Sequence, residues 1–173
     1  MTKSWKRLLE SSHTLWTTFD TRNIRKPISL TALKVHLKRS NYTLDTAVIS
    51  MKAKFDVVRM QHLTRTCKKL KYLEICGSGV IGDSLTTALP YAKSLERLVV
   101  GKNCEIGLTG VQTVLKICQQ TLVEAVFLRI KNPWGGYLGN WPQLKSLRSL
   151  NLQFIGTASL DVVSLSAKLP LVM

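Results

Sequence analysis

One short pattern of apolar residues recurs five times along the chain, and it limits the possible folds more than any other feature. Each copy reads apolar-x-x-apolar-x-apolar, and the copies occupy residues 44–49, 70–75, 95–100, 122–127 and 147–152. Their starting positions are 26, 25, 27 and 25 residues apart. Alternating apolar residues form the buried face of a short strand, and a nearly constant spacing is typical of chains built from repeated units. The sequence therefore predicts five structurally equivalent strands.

The third copy continues to Asn103 and completes the L-x-x-L-x-L-x-x-N string of a leucine-rich repeat. A period of about 25 residues leaves room for one strand and one helix. We therefore predict an α/β fold, a leucine-rich-repeat solenoid with short parallel strands and one helix per repeat. The repeats are expected to fill residues 44–173 and to be incomplete at the C-terminal end, because a sixth strand is due near residue 172. An uncapped final strand would make the isolated chain poorly soluble.

Apolar residues at helical spacing precede three of the strands. These stripes are Met60, Leu63 and Cys67; Leu85, Leu89 and Ala92; and Val111, Val114, Leu115 and Cys118. Pro90 is expected to shorten or kink the second helix, because proline lacks the backbone N–H that a helix uses. The last interval differs, since the Gly/Pro-rich segment 133–142 is predicted to be a loop. Its aromatic residues either cover the core or form a contact surface, and they are Trp134, Tyr137 and Trp141.

The residues between the apolar positions of each strand are expected on the open, concave side of the solenoid. In the first copy these are Thr46 and Val48, and in the later copies they are Tyr72, Glu74, Arg97, Val99, Glu124, Val126, Ser149 and Asn151. A phosphate-binding surface would need several Lys or Arg at matching intervals, and these positions offer one Arg against two Glu. A mixed apolar and polar surface suits a protein or peptide better. We therefore predict that the eight residues of the later copies bind a protein or peptide.

The chain is strongly basic, and the charge is concentrated near its start. Its 173 residues include 25 Lys+Arg and 10 Asp+Glu, a formal net charge of +15. Residues 1–71 carry a net charge of +12 and residues 72–173 carry +3. Such charge is typical of proteins that bind nucleic acid, membrane surfaces or acidic proteins. The basic, Ser/Thr-rich start also resembles a mitochondrial presequence, although the spacing of Trp5, Trp16 and Phe19 indicates packing.

Several motifs that suggest chemistry have simpler structural explanations. Gly77, Gly79 and Gly82 spell G-x-G-x-x-G after a strand, the fingerprint of dinucleotide binding, but a strand-to-helix turn of the repeat explains them better. The four cysteines form no C-x-x-C pair, which indicates a reducing compartment. Cys67 and Cys118 are predicted to be buried thiols. The three histidines lack partners at metal-binding spacing, so we predict no metal, no cofactor and no catalytic site.

The first 20 residues resemble the second half of an F-box, which in family members ends with a W-x-x-L-x-x-x-x-x-L-W-like string. The residues that fill this string are Trp5, Leu8, Leu9, Leu15 and Trp16. The following Phe19-Asp20, the basic segment 25–27 and the helix-strand unit 67–75 resemble fungal F-box proteins with leucine-rich repeats. This resemblance covers essentially the whole chain. It divides the chain into a helical F-box-like motif at 1–20, a basic linker or helix at 21–43, and the repeats.

The resemblance implies a non-catalytic role as the substrate-recognition subunit of an SCF ubiquitin ligase in the nucleus or cytoplasm. In that family the F-box docks on a Skp-family adaptor, and the repeats hold a target protein for ubiquitination by a separate enzyme. The Leu-Pro helix that opens an F-box is absent, so we expect the chain to be a fragment or an incomplete gene product. The alternative function is a basic repeat scaffold that binds nucleic acid or chromatin. No membrane partner is expected, since no apolar run approaches the ~20 residues of a membrane span.

Overall fold

The computed structural model describes residues 16–24, 26–53, 55–101, 103–131, 142, 144–155 and 162–168. Within these residues the chain forms an α/β fold with a mostly parallel sheet, which confirms the α/β part of the prediction. The strands are β1 (Thr18–Asp20), β2 (Thr46–Ser50), β3 (Tyr72–Cys76), β4 (Gly79–Val80), β5 (Arg97–Val100), β6 (Cys104–Gly107), β7 (Glu124–Lys131), β8 (Ser149–Ile155) and β9 (Val162–Lys168). The helices are α1 (Leu30–Arg39), α2 (Val57–Thr66), α3 (Gly82–Ala88) and α4 (Leu108–Ile117).

The main sheet runs in the order β1-β2-β3-β5-β7-β8, and all of these neighbours are parallel. Each of the five predicted copies contributes one of its strands, from β2 to β8. The short strands β4 and β6 form a second parallel row that joins the far end of β7, where Ile106 pairs with Ile130. Neither β4 nor β6 was predicted. They are two and four residues long, and they come after the recognised copies in the sequence, so the repeat pattern does not include them.

The core lies between the sheet and the helices, as the alternation of apolar residues predicts. Leu73, Leu98 and Ala125 share one register level and are fully buried, and Ile75, Val100 and Phe127 do the same at the next level. The buried residues of the helices belong to the same cluster. Successive helices also contact one another, α1 with α2, α2 with α3, and α3 with α4. One continuous apolar layer therefore holds the units together.

Local signals explain where the helices begin and end. Ser29 precedes α1, and its side chain accepts a hydrogen bond of 3.0 Å from the backbone N–H of Ala32. Asp56 caps α2 in the same way through a 2.9 Å bond from the N–H of Arg59. Such caps satisfy backbone donors that a helix leaves unpaired. Helix α3 ends at Ala88 and passes into a 3₁₀ turn containing Pro90, so the predicted shortening of this helix is confirmed.

Two ends of the sheet differ from the prediction. Strand β1 pairs with β2, so the range 1–20, assigned to a helical motif, is strand and not helix from Thr18 onward. At the other end, β9 pairs antiparallel with β8. A hairpin partner that the repeat pattern does not predict therefore covers the outer edge of β8. The sixth strand expected near residue 172 lies outside the described residues.

No helix among the described residues is both long and apolar enough to cross a lipid bilayer.

Candidate functional site

The residues predicted to bind a target lie side by side on the face of the sheet opposite the buried layer. The register places them in two parallel rows. The Tyr72 row consists of Thr18, Thr46, Tyr72, Arg97, Glu124 and Ser149, and the Glu74 row consists of Asp20, Val48, Glu74, Val99, Val126 and Asn151. Because side chains alternate across a strand, both rows point away from the core. We call these two rows together the strand face.

An interaction network runs along the Tyr72 row at the centre of the strand face. Arg97 Nε lies 2.8 Å from a carboxylate oxygen of Glu124 on the next strand. The Arg97 guanidinium also lies 5.5 Å from the centre of the Tyr72 ring, a distance at which the ring attracts a cation. The Tyr72 hydroxyl donates a 2.7 Å hydrogen bond to Glu74. These contacts hold polar side chains in defined positions on an accessible surface.

Burial and the contact with Glu74 keep Tyr72 protonated. Two effects raise the pKa of Tyr72 to about 12: partial burial, which is the larger, and the hydrogen bond to the Glu74 carboxylate. The phenol therefore stays neutral at physiological pH and acts as a hydrogen-bond donor rather than as a base.

Strand β1 adds Thr18 and Asp20 to the strand face, and the repeat pattern of the sequence predicted neither. Asp20 joins the Glu74 row through the pairing of β1 with β2. Arg22 holds Asp20 through two donors, Nε at 2.9 Å and Nη2 at 2.6 Å from the same carboxylate oxygen. This hydrogen bonding lowers the pKa of Asp20. The face therefore carries a charged pair at its N-terminal edge.

A signal for this extra strand was present in the sequence. Since Phe19 pairs with Ala47, Trp16 stands where Leu44 begins the first recognised copy, 28 residues later. The string Trp16-x-x-Phe19-x-Thr21 is a sixth copy with a polar residue at its last apolar position. Thr21 is fully buried, and its hydroxyl donates to Val48 O and accepts from the N–H of Ser50. Because Thr21 is polar, the sequence pattern was hard to recognise. In the structure its hydroxyl provides a hydrogen-bond partner for Val48 O and for the N–H of Ser50.

Most of the predicted adaptor-binding residues lie outside the described part of the chain; these are Trp5, Leu8, Leu9 and Leu15. The structure does describe Trp16, which is half-buried against α1. Its ring meets the His36 ring edge-on at 5.5 Å, and the guanidinium of Arg39 lies 5.4 Å from its centre. Trp16 therefore joins the segment before β1 to the first helix.

The glycine motif forms a turn, and its first residue has a clear structural reason. Gly77 has a positive φ of 98°, a conformation that favours glycine. A Cβ atom at this position would lie 3.1 Å from the backbone N of Met51 in the neighbouring 3₁₀ turn. The chain then continues through β4 into α3, which begins at Gly82. These features support the turn interpretation over dinucleotide binding.

The cysteines are free thiols, and two of them confirm a prediction. Cys67 and Cys118 are buried at the ends of α2 and α4, as their spacing predicts. Burial raises the pKa of Cys67 to about 11 and that of Cys118 to about 12. Their thiols are therefore protonated and unreactive at neutral pH. Among the residues that the structure describes, no group of three or more His, Cys, Asp or Glu side chains could hold a metal ion.

Two features remain to be placed, the aromatic residues of segment 133–142 and the basic side chains. The aromatic residues Trp134, Tyr137 and Trp141 lie outside the described residues. Many basic side chains are exposed in the helices and turns, away from the strand face, and they include Lys34, Lys38, Arg39, Lys52, Arg65, Lys68, Lys69 and Lys71. Positive charge thus surrounds the helical layer, while the strand face carries mixed charge.

Comparisons with protein-family models, with curated proteins and with solved structures found no match to this chain.

Proposed function

We propose that this chain is a leucine-rich-repeat solenoid that binds a protein or peptide on its strand face. The observation that carries the proposal is the register, which brings Tyr72, Arg97 and Glu124 into one row across three parallel strands. Half-buried Val99 and Val126 lie in the adjacent row and supply apolar area. Aromatic and arginine side chains beside apolar ones are typical of the residues that dominate protein interfaces.

We further propose that the bound protein is a target for ubiquitination, as the F-box resemblance implies. The N-terminal residues Trp5, Leu8, Leu9, Leu15 and Trp16 would dock on a Skp-family adaptor. The chain would then hold a target lysine close to the ubiquitin-charged enzyme of the ligase. Holding the two reactants together makes their encounter effectively intramolecular, so the recognition subunit needs no catalytic residue of its own.

Adaptor capture tests the ligase part of this proposal. The chain is expected to retain a Skp-family adaptor in a pull-down with purified proteins, and Trp5→Ala with Leu8→Ala is expected to abolish retention. Lys116→Ala, an exposed change on α4, is the matched control. Failure of capture, also after a Leu-Pro helix is added upstream of Met1, would remove the ligase function and leave the binding function of the strand face open to its own test.

Site-specific photocrosslinking tests the strand face. A photoreactive residue at Val99 is expected to crosslink to a protein whose ubiquitination depends on this chain. When the photoreactive residue instead replaces Lys116, on the helical side, it is expected to crosslink to different proteins or to none. Arg97→Glu should weaken the Val99 crosslink because it places a carboxylate beside Glu124. Identical crosslinks from both positions would contradict the assignment.

The alternative function, binding of nucleic acid, is favoured by one observation. Lys68, Lys69 and Lys71 are exposed in the turn between α2 and β3, and Lys71 pairs with Glu96 at 3.2 Å. If these lysines bind phosphates, affinity for DNA or RNA falls steeply with salt. It is then also lost when all three are replaced by glutamate. A weak salt dependence would exclude this function.

A further inference from the structure

A groove with a cavity volume of about 450 Å³ lies between α1 and α2, in the helical layer. It is lined by Lys34, Val35 and Lys38 of α1, by Tyr42 just after that helix, and by His62 and Thr66 of α2. The strand face lies on the other surface of the sheet. The groove is therefore separate from the strand face, and binding at the strand face does not use it.

The groove contains apolar side chains that are exposed to solvent. Val35 is 48% exposed and Tyr42 is 45% exposed, which places both among the most exposed large apolar side chains of the described residues. On α1 the buried positions are Leu33 and Leu37, so Val35 points away from the core. An exposed aliphatic residue beside an exposed aromatic ring offers a contact area for one apolar side chain of a partner.

Tyr42, which lines the groove, has an unfavourable backbone conformation. Its φ is +58°, and the preceding Asn41 has a φ of +49°. Residues other than glycine rarely adopt this left-handed region, particularly bulky ones. The N–H of Tyr42 donates a 2.9 Å hydrogen bond to Leu37 O, which closes the end of α1. A glycine would fit this helix end better, so folding alone does not explain the tyrosine.

The charge of the groove has one sign. Lys34 and Lys38 stand one turn apart on α1, and His62 faces them from α2. The lining contains no acidic residue. Among the described residues, no ion pair involves Lys34 or Lys38. Burial, together with the nearby charge of Lys34, lowers the pKa of His62, which agrees with a positive potential in the groove.

We propose that this groove binds an acidic peptide segment of a partner protein. Carboxylates of the peptide would pair with Lys34 and Lys38, and a neighbouring bulky apolar side chain would pack between Val35 and Tyr42. The two lysines are spaced by a helical turn, so they suit a short segment whose acidic residues flank the apolar one. Charge complementarity orients such a segment, and the apolar anchor adds contact area.

Two other occupants fit the charge and shape of the groove less well. The chain's own residues 1–15 carry Lys3, Lys6 and Arg7 against Glu10, so they share the sign of the groove. A nucleic acid strand would be held through many phosphates, each needing its own Lys or Arg. The groove offers two lysines and an apolar patch, which matches a peptide more closely.

An array of short peptides tests the proposal. In the array, Glu or Asp residues flank one Phe, Leu or Trp at each spacing, and fluorescence anisotropy then gives the affinity of the strongest binder. Lys34→Glu with Lys38→Glu is expected to weaken that binding by about tenfold or more. The matched charge reversal of two exposed lysines outside the groove, Lys93→Glu with Lys116→Glu, should change it by less than about twofold.

Tyr42→Gly separates binding from folding. This variant is expected to melt at an unchanged or higher temperature, because glycine relieves the positive φ. It is nevertheless expected to bind the peptide about tenfold more weakly, because the apolar contact is lost. A purely structural role for Tyr42 would leave peptide affinity unchanged.

Three results would overturn the proposal. The first is an array without any binder. The second is equal binding when Gln and Asn replace the acidic residues or when Ala replaces the anchor. The third is full competition by single-stranded DNA that also depends on Lys34 and Lys38, which would make the groove a general polyanion site. None of these results bears on the strand face, since every variant lies in the helical layer.

Discussion

Arg97 and Glu124 occupy the same register position on the neighbouring parallel strands β5 and β7, and Arg97 Nε lies 2.8 Å from the Glu124 carboxylate. The two residues are 27 positions apart in sequence. Equivalent positions of successive repeats therefore become direct neighbours in space. A single row across the sheet combines one residue from each repeat, and short, separate segments thereby form one continuous surface.

Reversing the charges of Arg97 and Glu124 tests whether the two side chains stabilise the folded chain as a pair. Arg97→Glu should reduce the free energy of unfolding by up to about 1 kcal/mol, because it places two carboxylates side by side on a partly exposed face. Adding Glu124→Arg should recover most of that loss. Urea unfolding of the two single variants and the double variant measures the coupling. A double variant no more stable than Arg97→Glu alone would contradict the pairing.

The two faces of the sheet should respond very differently to truncation. Leu73 is fully buried, so Leu73→Ala is expected to cost about 2–5 kcal/mol of unfolding free energy. Val99 lies half-buried on the strand face, and Val99→Ala is expected to cost about 1 kcal/mol or less. Urea titrations of both variants provide the comparison. Equal losses would mean that the strand face is covered in the folded chain.

Gly77 should tolerate no side chain. Gly77→Ala combines a positive φ with a Cβ atom 3.1 Å from Met51 N, so it is expected to lower the unfolding free energy by about 1–3 kcal/mol. At Gly107 an added Cβ meets nothing within 4 Å, and Gly107→Ala should cost less than about 1 kcal/mol, the loss of a favoured helix cap. Thermal melting of both variants tests this. A neutral Gly77→Ala would rule out the turn geometry.

The extra strand at the N-terminal edge depends on a buried hydroxyl. Thr21→Val preserves the shape of the side chain but removes the acceptor for the N–H of Ser50, which lies 2.6 Å away. A buried donor left without a partner costs about 1–3 kcal/mol. Thr18→Val, on the exposed side of the same strand, is the control and is expected to be nearly neutral. Hydrogen exchange at Ser50 should also accelerate in Thr21→Val if β1 pairs with β2.

The buried thiols make stability fall at alkaline pH. The pKa values of Cys67, Cys104 and Cys118 are raised to about 11, 11 and 12, mainly by burial. Above the ordinary thiol pKa, near 9.0, the unfolded chain loses protons that the folded chain keeps. The contribution of these thiols to stability is therefore fully present below pH 9 and is lost as the pH rises toward 12.

Chemical denaturation at several pH values measures this effect. Cys118→Ala is expected to flatten the fall between pH 9 and 12 relative to the parent chain, although it lowers stability at pH 7. A thiol reagent at pH 8 should modify half-buried Cys76 first. Rapid modification of Cys118 in the folded chain would contradict its burial.

The repeat pattern and the structure agree closely for the core. Leucines and their equivalents at every second position predicted strands β2, β3, β5, β7 and β8, because burying one face of a strand requires that alternation. The same pattern predicted the side-by-side arrangement of Tyr72, Arg97 and Glu124. It missed β1, because Trp16 and Thr21 replace aliphatic residues, and Thr21 is buried through hydrogen bonds rather than through apolar character.

The α/β class, the parallel strands and the buried face of each strand could be read from the sequence, since they follow from periodicity that is local to each segment. The groove between the first two helices and the hairpin partner of β8 follow from tertiary contacts instead. The groove between α1 and α2 depends on how two helices, formed by segments without a shared motif, come to lie beside each other. The antiparallel strand β9 likewise depends on a free edge that exists only once β8 has joined the sheet. Such features arise from contacts between distant segments, and periodicity within one segment carries no information about them.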